Sequence, residues 1–194
     1  AVATFAAVRS ANRAARVAEA AFRANLRPLL VTSRLDDVVQ KVRWMDDHWA
    51  RLEGSQGVAE EADGNLYLAI SLRNAGAGMA VPMGWHLREG ASNADVPHSQ
   101  PEEFRAQTRD LYVAPGDVGF WQAAIRDRND GCYGWLSRSI ADPQPFTIEL
   151  LYGDAEGGQR TITRFGMIAI LTGEQTRWFP STALHWNLDR PDPR

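Results

Sequence analysis

The chain has 194 residues, 44% of them apolar, and a formal net charge of −3. With seven Trp and seven Phe, this composition excludes a wholly disordered chain and allows one ordinary domain with an appendage, or two very small ones. The single cysteine, Cys132, excludes an internal disulfide and a cysteine-built metal site and fits a reducing compartment. No run of about 18 apolar residues is present to cross a bilayer.

The charge is unevenly placed. Residues 1–34 carry six arginines against one acid, Glu19, a net of +5, while the other 160 residues hold 15 basic and 23 acidic groups, a net of −8. The opening stretch "AVATFAAVRSANRAARVAEAAFRANLRP" is Ala- and Arg-rich and free of Gly and Pro before Pro28. It predicts one helix over about residues 2–26, halted by the constraint that Pro28 places on the residue before it. Phe5, Val8, Ala15, Phe22 and Leu26 give it only a thin apolar stripe. Three readings fit this segment: the cytoplasmic end of a membrane helix, a helix packed on the body, or the mature end left by a cleaved signal peptide. The first is expected here, because uncharged "AVATFAAV" is followed by arginines of the kind that stay inside. It makes residues 1–27 a stalk and puts the protein on the cytoplasmic side of the cell membrane; the alternative is a soluble cytoplasmic protein. Arg9, Arg13 and Arg16 are candidate interaction residues. The segment has neither Lys nor a DNA-reading motif, so no nucleic-acid partner is expected.

After Pro28 the period shortens. "PLLVTS" (28–33) reads as a short strand. "KVRWM" (41–45) and "HWARL" (48–52) read as a hairpin turning at Asp46–Asp47. "NLYLAISLRN" (65–74) alternates, with Leu66, Leu68, Ile70 and Leu72 facing one way and Tyr67, Ala69, Ser71 and Arg73 the other, which predicts a half-buried strand. "MAVPMGWHLRE" (79–89) is a further strand, in which Pro82 and Gly84 predict a bulge or an exposed edge open to strand addition. "RDLYVAPGDVGFWQAAIRD" (109–127) reads as strand, Pro-Gly turn, strand. "GCYGWLSRSIAD" (131–142), closed by Pro143 and Pro145, is the one short helix of the body. "FTIELLYGD" (146–154), "GQRTITRFGMIAIL" (158–171) and "TRWFPSTALHWNL" (176–188) complete the strands, and "DAEGG" joins the first two of these as a hairpin. Residues 189–194 are expected to be a flexible tail. Seven to nine short strands without β-helix-β alternation predict a mainly β chain, an antiparallel β-sandwich over 28–188.

"LRNAGAGMAV" (72–81) raises the question of a phosphate-binding loop. A dinucleotide loop needs a third glycine opening a helix, and Val81 and Pro82 stand there instead. The stretch reads as a strand-to-strand turn, with Asn74 and the glycines in left-handed conformations. "LYLAISLRNAGAGMAV", "DLYVAPGD" and "IELLYGDAEGGQRTITRF" together resemble bacterial, actinobacterial-type uncharacterised proteins that carry one N-terminal membrane helix and a cytoplasm-facing immunoglobulin-like β-sandwich. The likeness covers roughly residues 1–172 and rests on turn chemistry. It implies a membrane-anchored immunoglobulin-like sandwich and carries over no catalytic residue.

Candidate chemistry is thin. His48, His86 and His185 each adjoin a Trp and would make a metal site only if their strands converged. Asp154 in "DAEGG", with Asp117, offers acids for a cation but not the spacing of an EF-hand. No Gly-x-Ser-x-Gly turn occurs, and Cys132 reads as a small buried residue. Trp121, Trp135 and Trp178 fit a core or a partner surface, and Trp121 and Trp135 are taken as interaction candidates. The expectation is a non-enzymatic, membrane-anchored interaction or accessory module, partnered by a protein or by copies of itself, with no cofactor. Alternatives are a small-molecule or metal-binding sandwich, such as a hydrolase using the histidines or Asp154, and a soluble ligand-binding sandwich outside the cytoplasm.

Overall fold

Tight turns order the chain. In the computed structural model, residues 2–173 and 175–190 are described, with side chains from residue 9 onward except 20 and 23–25. Helix α1 (Val2–Asn25) leads into β1 (Leu30–Thr32), β2 (Gln40–Arg43), β3 (Trp49–Leu52), β4 (Gly57–Ala62), β5 (Asn65–Asn74), β6 (Val81–Glu89), β7 (Arg105–Ala106) and β8 (Val118–Ile125). Helix α2 (Tyr133–Ala141), β9 (Phe146–Gly153), β10 (Thr161–Thr172) and β11 (Gln175–Asn187) follow. The β2–β3 turn closes through Trp44 N–H to His48 O at 2.9 Å, with Asp47 at φ 62°. Asp63 and Gly64, both at positive φ, form the two-residue turn that matches strand twist between β4 and β5. The sequence reading passed over β4, this turn and the short β7, and the strand it expected ahead of the Pro-Gly turn is reduced to a single bridge, Val113 with Ala80.

Among the described residues, nine strands form one antiparallel sheet in the order β1-β5-β4-β11-β10-β9-β6-β7, with β8 on the other flank of β5. The chain is thus mainly β and antiparallel, as expected. The sheet rolls until its two halves face each other. Trp85 of β6 and Trp121 of β8, far apart in strand order, meet edge to face at 5.7 Å. Leu66, Leu68, Ile70 and Leu72 of β5 share one core with Phe146, Ile148 and Leu150 of β9. Each such fully buried side chain contributes about 1.5–3 kcal/mol.

The expectation of a half-buried β5 needs correction, because Tyr67, Ala69 and Ser71 on its other face are also buried. The β2–β3 hairpin lies over them, and Val42, Trp44 and Leu52 pack on Tyr67 and Ala69. Strand β6 is not a free edge. It pairs with β9 over its full length on one flank and with β7 at Gly84–Trp85 on the other, and Pro82 sits at a bulge. Helix α2 seats against the β4–β5 turn, where Tyr133 Oη donates to Gly64 O at 2.9 Å and Ser137 Oγ to Glu61 Oε2 at 2.7 Å.

The glycines of "LRNAGAGMAV" serve another purpose than the one expected. Neither Gly76 nor Gly78 is at positive φ, nor is Asn74. They are glycines because the segment that follows α1 lies directly on them. A Cβ on Gly78 would fall 1.6 Å from Leu26 O, and one on Gly76 2.3 Å from Arg27 O. Ala75 N–H donates to Leu29 O at 2.8 Å and Ala77 N–H to Arg27 O at 3.2 Å. Asn74 organises the junction: its Oδ1 accepts from Leu29 and Gly76 N–H, and its Nδ2 donates to Gly78 O and Val113 O. Arg27 reaches across to Thr161 Oγ1 and Asn187 Oδ1. Gly78→Ala is expected to cost about 1–3 kcal/mol through this overpacking and to make residues 26–29 the first site of limited proteolysis. Unchanged melting and cleavage would show that the close approach is dispensable.

Candidate functional site

The candidate interaction and ligand residues are scattered. The described side chains of α1, at 9–19, 21 and 22, are all exposed, Arg9, Arg13 and Arg16 among them. Trp121 is fully buried and is corrected to a core residue, its indole N–H donating to Gln107 Oε1 at 3.1 Å. Trp135 is half-buried and tilts against Phe146, and Trp178 is buried. Of the flexible tail proposed for 189–194, Asp189 is tied by ion pairing to Arg160, and 191–194 lie outside the described residues.

The histidines do not converge. His48 stacks on Tyr67 with ring centroids 3.9 Å apart and bonds Glu60 Oε1 at 2.7 Å. His86 Nδ1 meets Ser99 Oγ at 3.0 Å. His185 Nδ1 ends a chain in which Leu30 N–H donates to Tyr152 Oη, Tyr152 bonds Thr163, and Thr163 bonds the imidazole. Burial pushes the Tyr152 phenol up to about 12. Asp154 spends its carboxylate on a turn, with Oδ1 accepting from Gly158 N–H. Among the described residues no group of three or more His, Cys, Asp or Glu is placed to hold a metal ion. Cys132 is half-buried beside Arg105, and burial raises its thiol.

Sequence reasoning missed a buried ion pair. Arg164 of β10 and Glu149 of β9 are adjacent across the strands, 1% and 0% exposed. Arg164 Nε and Nη2 both donate to Glu149 Oε1, at 2.8 and 2.6 Å. Nη1 donates to the carbonyls of Asn93 and Val96, and Nη2 also to that of Pro97. The five N–H groups of the guanidinium are therefore all spent, and its Cζ lies 4.8 Å from the centroid of the Trp186 ring. Burial alone would raise the Glu149 carboxyl, but Ser99 N–H and Arg164 hold it below its ordinary value. The contact of Ser99 with His86 is not a nucleophile and its base, since Ser99 is buried and Glu149 orients Ser99 rather than the imidazole.

The other missed feature is open to solvent. Where the rolled sheet stops short of closing, between β7 and β8, a cleft of about 560 Å³ remains. Trp85 and Trp44 give it aromatic walls, and Arg43, Arg109 and Arg126 line it. Arg126 is paired to Asp46 at 2.9 Å, and Arg43 to Asp47. Among the described residues Arg109 is held only by uncharged acceptors, Arg43 O at 2.9 Å and Gln122 Oε1 at 3.3 Å. Met45 at the rim is 99% exposed. The lining holds no carboxylate, imidazole, thiol or lysine, so it has no proton-transfer group or strong nucleophile of its own. Its chemistry suits an anionic group on an apolar or planar body. The only sequence signal was three separate arginines at strand ends, with no fixed spacing. Compared with protein-family models, curated proteins and solved structures, the chain matches none.

Two titrations share a sign. Glu149 sits below its ordinary 4.5, so its stabilising share is complete above that value and is lost as pH falls through its native one. Burial lowers the His86 imidazole below 6.5, so the native state also loses stability as pH falls from 6.5. Glu149→Gln leaves the buried guanidinium unpaired, at an expected cost of about 3–5 kcal/mol near neutrality. Melting between neutral and acid pH is expected to show that the variant keeps the His86 limb and lacks the lower one. An equal penalty at every pH would remove Glu149 as the source of the acid limb.

Proposed function

We propose that the chain is a non-enzymatic interaction module, an accessory subunit held at the cytoplasmic side of the cell membrane. In this reading its N-terminal segment faces the membrane, and the cleft between β7 and β8 takes an acidic segment of a protein partner. The observation that carries it is the cleft itself: a guanidinium with no carboxylate partner among the described residues, Arg109, beside tryptophan walls, and a lining without acid, base or nucleophile. Arg is the cation best matched to a carboxylate, and Trp and Met are favoured at partner surfaces.

The membrane half of the reading is supported by Arg9, Arg13 and Arg16, which recur every three or four residues and so share one face of α1. Anionic lipid attracts such a face by about 1 kcal/mol per charge. No described helix is long and apolar enough to cross a membrane. The kinship with immunoglobulin-like sandwiches belongs to the same proposal; the antiparallel pairing and the two facing halves of the sheet are compatible with it.

The test is fractionation of the protein from its own host, mild detergent extraction, and identification of what copurifies. A stoichiometric partner is expected, lost by at least tenfold in Arg109→Glu with melting unchanged, since Arg109 is exposed. Replacing Arg9, Arg13 and Arg16 by Gln should release the protein from the pellet without loss of the partner. A protein that stays out of the pellet and alone, or a partner indifferent to Arg109→Glu, rejects the reading.

A further inference from the structure

Strand β10 outruns its neighbour. Strand β9 pairs with it only over Thr161–Met167, whereas β11 stays in register to Thr172. Ile168–Thr172 therefore have a ladder on one side and, among the described residues, no strand on the other. Exposed strand edges are normally defended by charge, proline or a bulge, because free N–H and C=O groups recruit other strands. This one carries none of those. From Phe165 to Gly173 there is no charged residue and no proline, and the register shift of the hairpin lies further back, at Arg164/Phe165. Ile168, Ile170 and Leu171 are nevertheless 51%, 50% and 69% exposed.

We propose that this edge pairs with the same edge of a second copy of the chain, antiparallel about a twofold axis at Ile170. The free stretch has five residues and Ile170 is its midpoint. A twofold antiparallel pair is self-complementary by construction, each residue facing its mirror position in the stretch. Here Ile170 faces Ile170, Ala169 faces Leu171, and Ile168 faces Thr172. No charge meets its own kind, which is the usual obstacle to joining a strand to its copy. Ala169 also leaves space for Leu171. On the outer face, Ile168 continues into an apolar groove of about 330 Å³ lined by Ala91, Pro145 and Leu184. The surface is separate from the cleft between β7 and β8 and does not depend on what that cleft binds.

The experiment is analytical ultracentrifugation of the chain from about 1 to about 100 µM, the range in which modest homodimers form. The mass should rise toward twice 21.5 kDa. Ile170→Lys, which sets lysine against lysine at the axis, should weaken association at least tenfold while melting is unchanged. Ile170→Cys in a Cys132→Ser background should cross-link under mild oxidation, because directly opposed residues lie within disulfide reach. Tyr112→Cys in that background, exposed but distant in the fold, should not. A chain monomeric at the highest concentration, a dimer that survives Ile170→Lys, or cross-linking at residue 112 as fast as at 170 overturns the proposal. If the lysine variant fails to fold, the pair of cysteine variants decides.

Discussion

The ion pair of Arg164 with Glu149 is the constraint around which one half of the molecule is arranged. Two charges on the outer face of β9 and β10 would ordinarily stay in water. Here the chain from Asn93 to Ser99 is drawn over them, and three of its carbonyls and one of its amides become their solvation shell. A buried ion pair is rarely a net gain over apolar packing. What this one contributes is a fixed path for the 93–99 loop, whose carbonyls take the three guanidinium donors that Glu149 leaves over. That path sets Ser99 against His86 and walls the apolar groove beside Ile168. A second anchor works on the other side of the fold, where Asn74 and the glycines after it hold the segment leaving α1. Both anchors tie irregular backbone to the sheet through a polar side chain.

Much of the sheet was legible because its turns are encoded locally. "APGD" closes through Asp117 N–H to Ala114 O with Gly116 at φ 75°, and "DAEGG" through Gly157 N–H to Asp154 O. The helix over 133–141 ends where its prolines require. Burial on the second face of β5 was not legible, because alternation tells which residues share a face and not what covers it. The glycines were misread for a similar reason. A glycine can answer a demand for positive φ or a demand for space, and only the path of residues 26–29 shows that space is the demand here. The ion pair left a trace that went unused. A lone Glu in "FTIELLYG" and a lone Arg in "TITRFGM" fall opposite each other once "DAEGG" is taken as a hairpin. The cleft left no comparable trace, since its lining comes from four strands and the chain just beyond them.

The cleft and the free edge of β10 arise from different failures of the same sheet to complete itself. Between β7 and β8 the roll does not close, because β7 is two residues long and the chain after it turns to side-chain bonding: Gln107 and Arg109 bridge to β8 through Trp121 and Gln122. At the tip of β10 the pairing ends because β9 begins at Phe146, just after Pro145. The first gap is lined with cations and aromatic rings, and the second with bare backbone and aliphatic groups. They call for different chemistry, and one protein can use both at once.

The joint between β4 and β11 has a further consequence. The two halves of the roll meet there through a single backbone pair, Gly57 with Trp178, supplemented by Thr32 N–H to Thr182 Oγ1. Elsewhere the neighbours hold each other over as many as twelve positions. A seam of one rung gives the ladder almost no resistance to being parted. What keeps the halves together is the shared apolar interior, where Trp85 of one half meets Trp121 of the other at 5.7 Å. Under a pulling force or a brief thermal opening, the molecule would hinge along this seam, each half keeping its own hydrogen bonds while water entered between them.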